Sequence, residues 1–161
     1  MLFMYISFIF VLLLGLFFYI FSNIYLKNIF KFKCLLSVSK TYIERLSNFK
    51  NAGCLLDTNL LNHISTFLYD NHPMIPTVFY RYITHYKLFF NNSLDKVTPE
   101  NAEIYYEMGQ VFDEILNWMI HNLSTKIALY EAKLSQLNKL LEYLTFVVTA
   151  ILSLFAQKLN S

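Results

Sequence analysis

The first 26 residues, MLFMYISFIFVLLLGLFFYIFSNIYL, contain no Asp, Glu, Lys or Arg. A bilayer's hydrocarbon core is about 30 Å thick and a helix rises about 1.5 Å per residue, so roughly 20 apolar residues cross it. The run meets that length with room for tilt and predicts a transmembrane helix over residues 1–26. Other readings fit less well. A cleavable signal peptide opens on positive charge and carries about 7–15 apolar residues before a small-residue cleavage site. Here no Lys or Arg precedes the run, and Phe21-Ser22-Asn23-Ile24-Tyr25 is a poor cleavage site. A mitochondrial transit peptide is Arg-rich and amphipathic, and this segment is neither. Apolar segments of soluble cores usually run to about 10–14 residues.

A basic block follows: Lys27, Lys31, Lys33, Lys40, Arg45 and Lys50, against the single acid Glu44. Positive charge on one flank orients a span, which places residues 27–139 on the cytoplasmic or matrix side. Lys27, Lys31, Lys33, Lys40 and Arg45 then form a juxtamembrane basic group suited to anionic lipid headgroups. A solvated flank whose long side chains snorkel explains the same charges. Beyond residue 50 the balance reverses: residues 51–139 carry six basic and nine acidic groups, and residues 140–161 carry only Glu142 and Lys158.

Composition agrees with a membrane protein. Hydrophobic residues make up 56% and charged residues 15%, against typical values of about 45–50% and about 25%. With a net charge of only +2, the chain as a whole lacks the charge of a nucleic-acid binder. Three Gly and three Pro leave room for long uninterrupted helices. Abundant Phe, Tyr, Ile, Asn and Lys, with only two Arg, are residue types of A/T-rich codons and suit an organellar, endosymbiont or low-GC bacterial genome. Cys34 and Cys54 match no metal or redox spacing and read as free thiols.

Helical periodicity continues after the span through Ile29, Phe32, Leu36, Ile43 and Leu46 to an end at Asn51-Ala52-Gly53. Asp57 or Thr58 can cap a second helix carrying Leu60, Leu61, Ile64, Phe67 and Leu68, which stops in the turn cluster before Pro73. Pro76 opens a third helix with a broad aromatic face: Val78, Phe79, Tyr82, Ile83, Tyr86, Phe89 and Phe90. After the loop Asn91–Asp95, Thr98-Pro99-Glu100 starts a long helix, with a possible break at Ser124.

That long helix carries a seam with 4-3 spacing: Leu116, Ile120, Leu123, Ile127, Tyr130, Leu134, Leu137, Leu141, Leu144, Val148, Ile151 and Phe155. The first eight are the candidate interaction seam, of coiled-coil or bundle type. From residue 140 to 156 the helix is apolar nearly all round, apart from Glu142. Seventeen residues is the lower limit for a span, so 140–156 is expected to re-enter the membrane. Thr145, Thr149 and Ser153 form a small-residue row that suits close packing in lipid. Ser7, Gly15 and Ser22 on the first span can receive it. The expected organisation is all-α: a transmembrane helix at 1–26, a helical extramembrane region at 27–139, and a second membrane helix at 140–156. The long helix can pair antiparallel with the first.

Catalytic constellations are missing. No GxSxG, P-loop or GxGxxG occurs, and His63, His72, His85 and His121 form no ligand motif. Glu100, Glu103, Glu107 and Glu114 share one face of the fourth helix, opposite Tyr105, Met108, Phe112 and Leu116, and read as a solvated face. The stretch FYRYITHYKLFF interleaves aromatic and basic residues as single-strand readers do, but its region has no basic excess. Two glycosylation triplets, at Asn91 and Asn122, fall on the wrong side of the membrane for that orientation.

The functional expectation is a non-catalytic structural or accessory subunit of a larger membrane complex, with other membrane subunits and lipid as partners and no cofactor, metal or nucleic acid. An organelle-encoded respiratory-chain or ATP-synthase-type subunit of the mitochondrial inner membrane is the favoured example. The alternative is a self-associating bacterial plasma-membrane scaffold, sensor or secretion component. A weaker one is a haem-binding redox subunit using two of the four histidines.

Overall fold

A computed structural model describes residues 2–51, 57–92 and 102–159, with side chains described outside 2–8, 49–51, 91–92, 152 and 154–159. Within those residues the chain is all-helical. Its elements are α1 (Leu2–Asn51), α2 (Thr58–Asp70), a 3-10 turn (His72–Met74), α3 (Thr77–Asn92) and α4 (Ala102–Leu159). The expected helix end at Ala52-Gly53, the loop from Ser93 and the start signal Thr98-Pro99-Glu100 lie outside the described residues.

Local chemistry accounts for the boundaries. The Asp57 carboxylate accepts the Asn59 N–H at 2.9 Å, capping the otherwise unpaired donors of α2. Such a cap contributes about 1 kcal/mol. At the other end, the Asn71 side chain donates to the Phe67 carbonyl at 2.8 Å. Pro73 sits in the first turn of the 3-10 segment, where its missing N–H is no loss. The Pro76 carbonyl then accepts from Phe79 N–H at 2.9 Å as α3 begins. Ser124 does not break α4. Its hydroxyl donates to the Ile120 carbonyl at 2.8 Å, within the helix, an alternative to capping open to a mid-helix Ser.

Packing divides the chain into two units, one comprising residues 1–33 and 125–161, the other residues 34–124. The second unit holds most of the core. α2 and α3 fold back on each other, and Lys87 Nζ donates to the Thr66 hydroxyl. Leu60, Leu61, Ile64 and Leu68 of α2 are buried, as are Ile83 and Tyr86 of α3. α4 adds Tyr105, Met108, Phe112, Ile115, Leu116, Met119 and Leu123, all at helical spacing and all buried. Glu103, Glu107 and Glu114 are exposed, as the stripe opposite them requires.

The aromatic face of α3 is narrower than its sequence suggests. Val78 is 71% exposed and Tyr82 is also exposed, while Ile83 and Tyr86 are buried. One stripe of a helix can face the core, and the positions about 100° away from it face outward. Tyr86 meets the Phe112 ring edge-on at 5.6 Å, and Phe89 meets Tyr105 edge-on at 5.7 Å. Burial, then the Glu107 carboxylate and Tyr82, hold the Tyr86 phenol above its ordinary pKa.

Candidate functional site

The first unit is thin. Its described part consists of the N-terminal stretch of α1 and the C-terminal stretch of α4. One helical segment among the described residues, Ile9–Asn48, is long and apolar enough to cross a membrane, and only 6% of its most apolar 18-residue stretch is buried. Ile9, Phe10, Leu12, Leu13, Leu16 and Tyr19 are all exposed. Contiguous apolar surfaces of this kind are rare on soluble monomers.

The two helices run antiparallel and meet through a ring clasp. Tyr130 of α4 lies between Tyr25 and Phe32 of α1, with ring centroids at 5.8 and 5.6 Å. Edge-to-face pairs of this kind add about 0.5–1.5 kcal/mol each beyond burial. The Lys33 ammonium meets the Glu131 carboxylate at 2.8 Å. The Lys126 ammonium stands over the Phe32 ring at 5.9 Å and that of Lys133 over the Tyr130 ring at 5.7 Å. Periodicity marks Phe32 and Tyr130 as inward positions, but nothing in it marks Tyr25 or pairs Lys33 with Glu131.

Further along, Gly15, Phe18, Tyr19 and Ser22 of α1 and Leu137, Asn138 and Leu141 of α4 border a cavity of about 240 Å³. A Cβ placed on Gly15 would meet nothing within 4 Å. Gly15 therefore does not serve a close helix approach here, and Gly15 and Ser22 face Leu137–Leu141 rather than Thr145, Thr149 and Ser153. The Ser7 side chain lies outside the described residues. Thr145 and Thr149 line a separate, open groove of about 450 Å³ on α4, with Leu141, Glu142 and Phe146.

The seam residues divide by place. Leu116 and Leu123 are fully buried and Ile127 nearly so. Ile120, Tyr130, Leu134 and Leu137 are half-buried, and Leu141 is exposed. The seam thus fades toward the C-terminal end of α4, and its first part is packed within this chain. The basic group Lys27, Lys31, Lys33, Lys40 and Arg45 is exposed throughout, and among the described residues only Lys33 of these makes an ion pair.

The four histidines occupy four different elements and are all exposed. His72 Nδ1 lies 2.9 Å from the Tyr69 carbonyl. Among the described residues no group of three or more His, Cys, Asp or Glu side chains is placed to hold a metal ion. Cys34 is a free, exposed thiol. No protein-family model, curated protein or solved structure matches the chain.

Proposed function

We propose that this chain is a membrane-anchored, non-catalytic subunit of a larger membrane assembly. One observation carries the reading: the most apolar stretch of α1 is almost wholly exposed. Lipid is the surrounding that satisfies such a helix, because its backbone groups are already paired internally. The basic residues that begin at Lys27 then lie at the headgroup level, with Lys27 and Lys31 available to anionic lipid. In this reading residues 140–156 accompany α1 into the bilayer.

Burial of Leu116, Leu123 and Ile127 within the chain withdraws them from contact with a second copy. That favours assembly with other subunits over self-association. Composition adds the organelle-encoded respiratory-chain or ATP-synthase-type subunit as the specific example. Gentle detergent extraction followed by native mass measurement tests the proposal. A mass above that of the chain, and not a multiple of 19.1 kDa, is expected. Extraction by alkaline carbonate without detergent, or a mass made only of multiples of the chain, overturns it.

A further inference from the structure

We infer that Glu142 marks a docking face on α4 for a transmembrane helix of a different chain, one that carries a Lys or Arg side chain at mid-bilayer depth. The inference rests on the membrane anchoring proposed above and names the chemistry of the partner.

In the first unit α1 and α4 run antiparallel, and Leu141 borders the same cavity as Gly15 and Phe18. Glu142, the next residue, therefore lies level with that part of α1, some ten residues from Lys27. Ten residues of helix span about 15 Å, half of a core about 30 Å thick. A carboxylate at that depth is costly, and such groups almost always face a partner or a water-filled cavity.

Glu142 is exposed and makes no hydrogen bond or ion pair among the described residues. The hydroxyls of the small-residue row are already engaged. Thr145 donates to the Leu141 carbonyl, Thr149 to the Thr145 carbonyl and Ser153 to the Thr149 carbonyl, each at 2.8 Å. Lys139 lies one turn closer to the basic end, where its stem can carry the ammonium to the headgroups.

The surroundings of Glu142 are an exposed face of α4. Among the described residues, Leu141, Glu142, Thr145, Phe146 and Thr149 of α4 line an open groove of about 450 Å³. Small residues in such a row let a second helix approach closely in lipid. A second copy of this chain does not supply the charge, because neither residues 1–26 nor residues 140–156 contain a Lys or Arg. The complement to Glu142 is a cation on a helix of another protein.

The full chain reconstituted in phosphatidylcholine vesicles tests this. The probes are a polyleucine transmembrane peptide with one central Lys and a matched all-Leu peptide, each read by energy transfer to the labelled chain. The Lys peptide is expected to associate at least tenfold more tightly. Glu142→Leu should abolish the difference, and Glu142→Lys should transfer the preference to a Glu-centred peptide. Equal association of both peptides with the unaltered chain overturns the inference, as does energy transfer between copies of the chain that is lost in Glu142→Leu.

A depth measurement separates the two levels of the argument. A fluorophore on Tyr143→Cys, outside the groove and next to Glu142, in a chain lacking Cys34 and Cys54, is read by quenching with brominated acyl chains. Quenching from the middle of the acyl chains without a preference for the Lys peptide defeats only the docking face. A label at aqueous depth defeats the docking face and the second membrane helix together.

Discussion

Among the described residues, those of 34–124 bury most of the core's apolar side chains, whereas those of 1–33 and 125–161 leave most of theirs uncovered. Leu61, Ile64, Leu68, Ile83, Met108, Phe112, Ile115, Leu116, Met119 and Leu123 are all fully buried in the first of these regions. In the other, Phe18, Ile29, Phe32 and Ile127 are the buried apolar residues described, and each retains some exposure. Both regions are built from helices, and two of the helices are shared. The difference teaches that helix formation and core formation are separate events in this chain. Four helical segments can cover one another's apolar stripes. Two helical stretches alone cannot, and the apolar run of α1 stays largely uncovered among the described residues.

The sharpest way to break that contrast is truncation of a ring in each region. Phe112→Ala should destabilise the residue 34–124 unit by about 3–5 kcal/mol. Phe10→Ala, at a side chain 64% exposed, should stay within about 0.5 kcal/mol. Denaturant unfolding in mild detergent reads both, and equal losses would erase the distinction.

A charge placed on each surface gives the next effect. Leu13→Arg puts a cation in the exposed apolar run, where insertion should cost about 2.5–3.5 kcal/mol. Val78→Arg, at an equally exposed site of α3, should leave membrane retention unchanged. Carbonate extraction compares the two variants, and similar release of both would show that the exposed part of α1 is not special.

Alkaline titration sharpens the packed side. Burial raises the Tyr86 phenol above its ordinary value, with Glu107 and Tyr82 adding to the shift. The folded state therefore holds its proton after the unfolded state has lost it. Stability should be level below about pH 10 and then fall by up to about 1.4 kcal/mol per pH unit, until the folded phenol also ionises. Tyr86→Phe should remove that slope in unfolding measured against pH. An unchanged slope would place its origin elsewhere.

The smallest effect belongs to the thin region. Lys33 and Glu131 are joined at 2.8 Å, yet their side chains are 57% and 49% exposed. Lys33→Ala should cost less than about 1 kcal/mol, and less again in high salt. A larger loss, insensitive to salt in detergent, would mean that this pair holds α1 and α4 together and that the ring clasp of Tyr25, Phe32 and Tyr130 contributes little.

Much of the fold was legible residue by residue. Asp57 as a cap, the stop before Pro73 and the entry of α3 at Pro76 follow from the local chemistry of single side chains. The stripe Tyr105, Met108, Phe112, Leu116 could be read because a helix buries positions three and four apart. The candidate site was less readable. Small residues on two helices say that close approach is possible, not which rows meet. Gly15 and Ser22 face Leu137, Asn138 and Leu141 because the rings at Tyr25, Phe32 and Tyr130 set the register of α1 against α4.

By itself the sequence determined an all-helical chain, the cap and stop of α2, the entry of α3, and a charge-free run long enough to cross a bilayer. Those properties depend on neighbours within a few residues, through backbone dihedrals, capping and hydropathy. Only the tertiary structure decided which apolar residues become core. It buried Leu116 and Leu123 within the chain, left Thr145 and Thr149 on an open groove, and placed Glu142 level with the middle of the apolar run. Those outcomes depend on the register between helices distant in sequence, which long-range packing of side chains sets.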